Sequence, residues 1–117
     1  MVYNGELYNY PEVKKLLGRS GPDFTNESDT EILIRAIDVF GWSVIEDCEG
    51  MWGFAVYDEM DDSLTLCRDR FGEKPLYYYK DSSGFYFGSE VKFITALLGG
   101  SLDINYHHLY RYMINEY

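Results

Sequence analysis

Apolar positions recur at helical spacing most clearly between residues 29 and 40. Isoleucine, leucine, alanine and phenylalanine side chains there stand three or four positions apart, which is typical of a helix that buries one face. Ser28 and Glu31 stand at the spacing of a capping box, and Gly41 follows the stripe as a natural terminator. These signals predict a helix over residues 29–40.

A shorter helix is predicted upstream of this one. Pro11 suits the first turn of a helix, with Asn9 or Tyr10 as the flanking cap. Gly18 and the Ser-Gly-Pro cluster at 20–22 predict where this helix ends.

Further along the chain, short apolar runs alternate with turn signals. The runs occupy residues 51–58, 64–68, 76–80 and 85–88, and three short connections in succession predict an antiparallel meander. We expect Ser89 to cap a helix over Val91–Leu98 and the tail from 105 to 117 to be helical. Helices followed by strands and then by helices, with no internal repeat, indicate an α+β fold in one domain.

The charge balance excludes some classes of partner. The chain carries 20 acidic and 10 basic residues, a formal net charge of −10, which disfavours nucleic acid and anionic membrane surfaces. No apolar run approaches the roughly 18 residues of a membrane span, and no signal peptide opens the sequence. We therefore expect a soluble cytoplasmic protein.

The cysteines and histidines offer little chemistry. Cys48 and Cys67 are the only cysteines, and neither lies in a metal-binding spacing, so buried free thiols are the expected state. His107 and His108 are adjacent on a predicted helix and point in different directions, which prevents chelation. We expect no metal site.

The candidate chemistry lies near the start of the chain. Residues 1–3 are apolar and run into Asn4-Gly5, which signals a sharp turn, and Glu6 follows at once. An asparagine amide and a glycine N–H are suitable donors for an oxyanion, while Glu6 and Asp29 could receive an ammonium group. Taken singly, Asn-Gly is equally an ordinary turn, and Asp29 is equally a favourable first-turn residue of its helix.

Five motifs favour the catalytic interpretation over the ordinary structural one. Together, and in this order, they resemble the glutaminase domain of glutamine-hydrolysing asparagine synthetases, which are class II glutamine amidotransferases. The resemblance covers nearly the whole chain. Its segments are Asn-Gly-Glu-Leu-Tyr-Asn at 4–9, Ser-Asp-Thr-Glu at 28–31, Gly-Met-Trp-Gly-Phe-Ala at 50–55, Arg-Asp-Arg-Phe-Gly-Glu-Lys-Pro-Leu-Tyr-Tyr at 68–78 and Phe-Gly-Ser-Glu-Val-Lys at 87–92.

The resemblance implies an N-terminal-nucleophile hydrolase fold and specific roles. Asn4 and Gly5 would form the oxyanion hole, and Glu6 and Asp29 would hold the α-amino end of L-glutamine. Residues 68–78 would serve structure and domain coupling. In the family a synthetase domain, which uses ATP and Mg²⁺, amidates a carboxylate with the released ammonia. The glutaminase domain itself uses no cofactor.

The resemblance also implies that parts of the family's domain are missing here. The family's nucleophile is an N-terminal cysteine, whereas Met1 and Val2 open this sequence. We therefore expect residues 1–117 to be a partial domain that lacks its front and the downstream synthetase domain. Such a chain would hydrolyse no glutamine, would bind it weakly if at all, and would self-associate through exposed sheet edges.

Two alternatives remain open at this stage. The same fold remnant could be a non-catalytic binding or assembly module. The parent protein could also amidate a cell-surface sugar-acid precursor instead of aspartate.

Overall fold

The computed structural model describes residues 1–18, 24–26, 28–100 and 103–115. The chain divides into two compact units, Met1–Leu76 and Tyr77–Tyr117. The helices are α1 (Tyr10–Leu17), α2 (Asp29–Phe40), α3 (Val91–Leu98) and α4 (Tyr106–Asn115), with a 3₁₀ helix over Trp42–Asp47. The strands are β1 (Val2–Leu7), β2 (Gly50–Asp58), β3 (Ser63–Arg68), β4 (Tyr77–Lys80) and β5 (Phe85–Gly88). Helices combined with antiparallel sheets confirm the predicted α+β class.

The first unit contains an antiparallel sheet in the order β1-β2-β3. The turn predicted at Asn4-Gly5 is wrong, because both residues lie within β1, opposite Gly53 and Trp52. A Cβ atom on Gly5 would collide with the Met51 carbonyl oxygen and lie 2.8 Å from the Trp52 Cα atom. Gly5 is therefore where β1 and β2 approach each other closely.

The core of the first unit lies between this sheet and helices α1 and α2. Its buried members come from both layers: Leu7, Val13, Leu17, Ile32, Leu33, Ala36, Ile37, Val44, Cys48, Trp52, Phe54 and Val56. Trp42 keeps 42% of its surface exposed while it stacks on Phe54, whereas Trp52 is buried.

The start of α2 agrees only in part with the predicted capping box. The Ser28 hydroxyl accepts a hydrogen bond from the Glu31 N–H at 3.3 Å. The Glu31 carboxylate, however, accepts from the backbone N–H groups of Thr25 and Asn26, and the Ser28 N–H donates to the side chain of Asn26. In a complete capping box the Ser28 N–H would donate to the Glu31 side chain. Here the Asn26 side chain accepts that N–H instead.

Helix α1 begins at Tyr10, with Pro11 in its first turn and Asn9 as its cap residue. The Asn9 side chain makes no capping bond to this helix. The backbone carbonyl oxygen of Asn9 accepts from the Glu12 and Val13 N–H groups instead. The terminating cluster predicted at 20–22 lies outside the described residues.

The second unit contains the β4-β5 hairpin together with α3 and α4. The predicted continuous meander is wrong, because β3 and β4 belong to different sheets. Helix α3 is preceded by Glu90 as its cap residue, with no capping bond from a side chain, so the cap expected at Ser89 is also wrong. The helix predicted over residues 105–117 is present as α4 from Tyr106 to Asn115, and residues 116 and 117 lie outside the described residues.

Candidate functional site

The outer edge of β1 carries the main-chain groups of alternate residues. The Leu7 N–H points away from β2 and donates to Asp29 Oδ2 at 2.9 Å, whereas the Tyr8 N–H donates to the Glu49 carbonyl oxygen at 2.7 Å. Because successive residues of a strand face opposite sides, the Gly5 N–H points to the same outer edge as the Leu7 N–H. Asp29 and the Gly5 N–H therefore share one edge of the sheet.

The side chains of Asn4 and Glu6 share one face of β1. Both residues are exposed, whereas Leu7 is buried against the helices. The alternation of a strand places Asn4 and Glu6 on the face away from the core. Asn4 and Glu6, both predicted from the sequence as site residues, thus have neighbouring side chains on an accessible surface.

Asp29 reaches β1 from the first turn of α2. One of its oxygens, Oδ2, accepts the Leu7 N–H, and its second oxygen has no hydrogen-bond partner among the described residues. An ionised carboxylate can accept several hydrogen bonds, so Oδ1 is available for a further donor. The fold therefore brings Asp29, 22 positions away from Leu7 in sequence, to the end of the strand that carries Asn4, Gly5 and Glu6.

Tyr3 lies on the core face beneath this edge. Burial, followed by the nearby charge of Asp29, raises the pKa of Tyr3 well above its ordinary value. Its hydroxyl group is buried and has no hydrogen-bond partner within the described ranges. The phenol is therefore a neutral neighbour of the Asp29 carboxylate at physiological pH.

A loop organised by Asp69 lies beside the face of the sheet that carries Asn4 and Glu6. The Asp69 carboxylate accepts backbone N–H groups from Glu73 and Lys74, both at 2.9 Å, from Phe71 at 3.1 Å and from Trp52 at 3.3 Å. A Cβ atom on Gly53, the partner of Asn4, would lie 3.2 Å from the Pro75 carbonyl oxygen.

Arg68 reinforces this loop by donating to the carbonyl oxygens of Gly72 and Lys74. These contacts bear out the structural role expected for the first part of the 68–78 segment. Its role in domain coupling stays a prediction.

Neither cysteine resembles an activated nucleophile. Both thiols are free, as predicted, but only Cys48 is buried, whereas Cys67 is half-buried. Burial, aided by the charge of Asp47, raises the pKa of Cys48 to about 11, and its Sγ donates to the Val44 carbonyl oxygen at 3.3 Å. Burial also raises the pKa of Cys67. A raised thiol pKa lowers the thiolate fraction, which is the nucleophilic form.

The described residues contain neither a metal-binding cluster nor a membrane-spanning helix. No group of three or more His, Cys, Asp or Glu side chains is arranged to hold a metal ion. No helix there has the length and apolar character needed to cross a membrane.

Two polar residues make several hydrogen bonds that the sequence did not reveal. Asn9 ends the motif at 4–9 and was given a role only as a possible helix cap, yet its side chain bonds to Asp47 and Glu49, which are 38 and 40 positions away. Asp69 was part of a recognised motif, but the sequence did not show that its carboxylate gathers the surrounding N–H groups. Only the fold reveals these partners.

Comparison with known proteins assigns the family. The sequence model of the glutamine amidotransferase domain matches residues 1–117. The chain belongs to this glutamine amidotransferase family. The resemblance found through the five motifs is thereby confirmed.

Several curated asparagine synthetases are similar to this glutamine amidotransferase chain. Glutamine-hydrolysing asparagine synthetase 3 of Bacillus subtilis is 42% identical over 96 residues, which cover 82% of this chain and 16% of the relative. A putative glutamine-hydrolysing asparagine synthetase 2 of Methanocaldococcus jannaschii is 37% identical over 97 residues, 83% of this chain and 18% of the relative. Glutamine-hydrolysing asparagine synthetase 1 of Bacillus subtilis is 34% identical over 113 residues, 97% of this chain and 18% of the relative. The chain spans less than a fifth of the length of each of these relatives.

Proposed function

We propose that this chain is the glutamine-binding part of an amidotransferase that forms asparagine. The parent reaction would convert glutamine, aspartate and ATP into asparagine, glutamate, AMP and pyrophosphate. The observation that carries the proposal is the contact between Asp29 and the Leu7 N–H, because it gathers the predicted site residues at one edge of β1. The names of the similar synthetases support the same activity.

The site residues divide into two chemical roles. Asn4 and Gly5 are consecutive, and their side-chain amide and backbone N–H would stabilise the oxyanion that forms when the glutamine amide is attacked. Glu6 and Asp29 supply negative charge for the α-ammonium group of glutamine. A side chain on Gly5 would collide with Met51 and Trp52 of β2, so glycine is needed at the position whose N–H faces the outer edge.

Residues 1–117 would be one part of an amidotransferase domain whose partner is a synthetase domain. ATP and Mg²⁺ would act in that synthetase domain, and the glutamine-binding part would need no cofactor. Aspartate is the proposed acceptor because the similar proteins carry the name of asparagine synthetase.

The proposal is tested by a thermal melt titrated with L-glutamine. A ligand that binds only the folded state adds about 2.7 kcal/mol to the free energy of unfolding at a hundredfold excess over its Kd. We expect the melting temperature to rise with L-glutamine and to stay constant with D-glutamine. A cooperative melt that ignores both enantiomers would contradict glutamine binding by this chain.

A variant links the binding to Asp29. Asp29→Asn keeps the shape of the side chain and an acceptor for the Leu7 N–H, but it removes the charge that would receive the ammonium group. We expect the Kd for L-glutamine to rise about tenfold or more, the scale of one charge-assisted hydrogen bond. Asp61→Asn removes the same charge from an exposed turn and should leave the Kd unchanged; equal Kd values for the two variants would exclude Asp29 from the site.

We further propose that this chain alone does not hydrolyse glutamine. Its only cysteines are Cys48 and Cys67, and both have a raised pKa and packed surroundings. Without an activated thiol there is no route to an acyl-enzyme intermediate. An ammonia-release assay should give the rate of buffer alone, and release that Asn4→Ala abolishes would overturn this proposal.

Self-association through sheet edges is also proposed. The Asp69 N–H, directly after β3, donates to the Trp52 carbonyl oxygen, so the alternation along the strand turns the main-chain groups of Leu64, Leu66 and Arg68 to the outer edge. Unpaired main-chain groups of this kind are a template for another strand. The most direct occupant of such an edge is a second copy of the same chain.

A further inference from the structure

The Asn9 side chain bridges two segments that are distant in sequence. Its Nδ2 donates to the Asp47 carbonyl oxygen at 2.9 Å, and its Oδ1 accepts the Glu49 N–H at 2.9 Å. The neighbouring Tyr8 N–H adds a third bond, to the Glu49 carbonyl oxygen at 2.7 Å. Three hydrogen bonds therefore hold the turn at residues 8–9 against residues 47–49.

This use of the side chain is unusual for a helix cap residue. Asparagine at this position ordinarily accepts an N–H group from the first turn of its own helix. Here the Asn9 side chain makes no such bond, and only its carbonyl oxygen serves the start of α1. The side chain is committed to a tertiary contact instead of to the helix.

The bridged segment leads directly into the strand opposite the proposed site. Glu49 is followed by Gly50, which pairs with Leu7, and by Met51, which pairs with Glu6. On the other side of the same strand end, the Leu7 N–H contacts Asp29. The bridge thus anchors the end of β1 that carries Glu6 and that contacts Asp29 through the Leu7 N–H.

We propose that Asn9 is a positioning residue for the glutamine site. By fixing the end of β1, it keeps the Leu7 N–H against Asp29 and holds the Glu6 carboxylate at a constant distance from Asp29. The inference rests on the proposed function for the meaning of this site, but the positioning effect can be measured without glutamine.

The chemistry of the bridge is specific to an amide. One planar group must present a donor to Asp47 and an acceptor to Glu49 at the same time, and an asparagine side chain does both. Aspartate in its ionised form would keep the acceptor, lose the donor and place a negative charge against a carbonyl oxygen. Alanine would lose both bonds.

The test is amide hydrogen exchange read at two positions of the same sheet. The Leu7 N–H reports on the contact with Asp29, and the Phe54 N–H, in the central strand β2, reports on the stability of the sheet as a whole. We expect Asn9→Ala to accelerate exchange at Leu7 about tenfold or more relative to Phe54, since local opening is measured separately from global unfolding. If Asn9 only stabilises the unit, both amides accelerate equally and the ratio stays constant, which would overturn the inference.

Two further variants complete the test. Asn105→Ala makes the same substitution at another helix start, where the side chain accepts the His108 N–H, and it should not change the ratio. Asn9→Asp, which keeps one of the two bonds, should also raise the ratio and serves as the deciding variant if Asn9→Ala does not fold. A wild-type ratio in Asn9→Asp would contradict the inference.

Failure of the proposed function gives a different result. If the wild-type chain ignores L-glutamine while Asn9→Ala still raises the exchange ratio, the positioning role of Asn9 stands and the assignment of the ligand falls. If glutamine binds and the ratio does not change in any Asn9 variant, the ligand stands and the positioning role falls.

Discussion

Gly5 occupies a point of close contact between β1 and β2. A methyl group there would meet backbone atoms of Met51 and Trp52, and backbone atoms in the middle of a sheet cannot easily move aside. The same residue offers its N–H to the outer edge of β1. One glycine therefore serves both the packing of the sheet and the proposed oxyanion hole.

Replacing this glycine tests the packing. We expect Gly5→Ala to lower the free energy of unfolding by about 1–3 kcal/mol, the usual cost of overpacking an interior position. The measurement is urea denaturation of both proteins. Gly100→Ala is the matched control, because a Cβ atom there meets none of the described residues within 4 Å; equal midpoints for the two variants would contradict the tight contact at Gly5.

Sequence and structure contribute differently at the residue scale. Asn4, Gly5, Glu6 and Asp29 were named from motifs, and the structure adds that Asp29 reaches the strand through the Leu7 N–H. Asn9 could not be recognised from sequence as a bridge, because an asparagine before a helix looks like a cap whatever its side chain contacts. Residues whose role depends on distant partners remain hidden until the fold is known.

At the scale of elements, the segment after β3 is shaped by one buried carboxylate. Burial of Asp69 acts to raise its pKa, but the backbone N–H groups of Lys74, Glu73 and Trp52 outweigh it, so the net pKa lies below its ordinary value. A carboxylate with a depressed pKa stabilises the folded state above its unfolded pKa, roughly 3.9 for aspartate. That stabilisation is lost as the pH falls through the lower, folded pKa.

This sign gives a pH-dependent prediction. Asp69→Asn should lower the melting temperature at pH 7, because a neutral amide replaces the charge that several N–H groups share. The difference from the wild type should start to shrink as the pH falls below about 4, the unfolded pKa of aspartate, and should disappear once the pH has passed the lower pKa of the folded Asp69 carboxylate. Thermal melts across that range measure it, with Asp61→Asn in the exposed hairpin turn as control; a difference that stays constant with pH would contradict the role of the charge.

The elements also show which sequence signals were sufficient. The apolar stripe of α2 and the β2–β3 hairpin were predicted because their patterns are local. Strand β1 was cut short because Asn-Gly signals a turn, and only its pairing partner Trp52 explains a glycine in mid-strand. The meander failed because Asp69 draws the chain into a loop instead of a further hairpin.

At the scale of the whole molecule, two opposing effects decide how copies of the chain interact. The net charge of −10 makes copies repel one another. The main-chain groups at the outer edge of β3 pair with no other strand among the described residues, and Leu64 on this strand is 42% exposed. Because salt screens repulsion between surface charges but leaves main-chain pairing available, association should increase with ionic strength.

Light scattering at rising protein concentration measures this balance, with matched variants to locate the contact. We expect Leu64→Lys to reduce the apparent mass, since a lysine on an edge strand discourages pairing with another chain. Met60→Lys adds the same charge at a residue that is 93% exposed but lies in the hairpin turn, outside the strand.

If both variants reduce the apparent mass equally, the effect is one of charge or apolar surface, and the edge of β3 is not the contact. A reduction confined to Leu64→Lys would place the second copy on this edge, and a wild-type chain that stays monomeric at high salt would rule the pairing out.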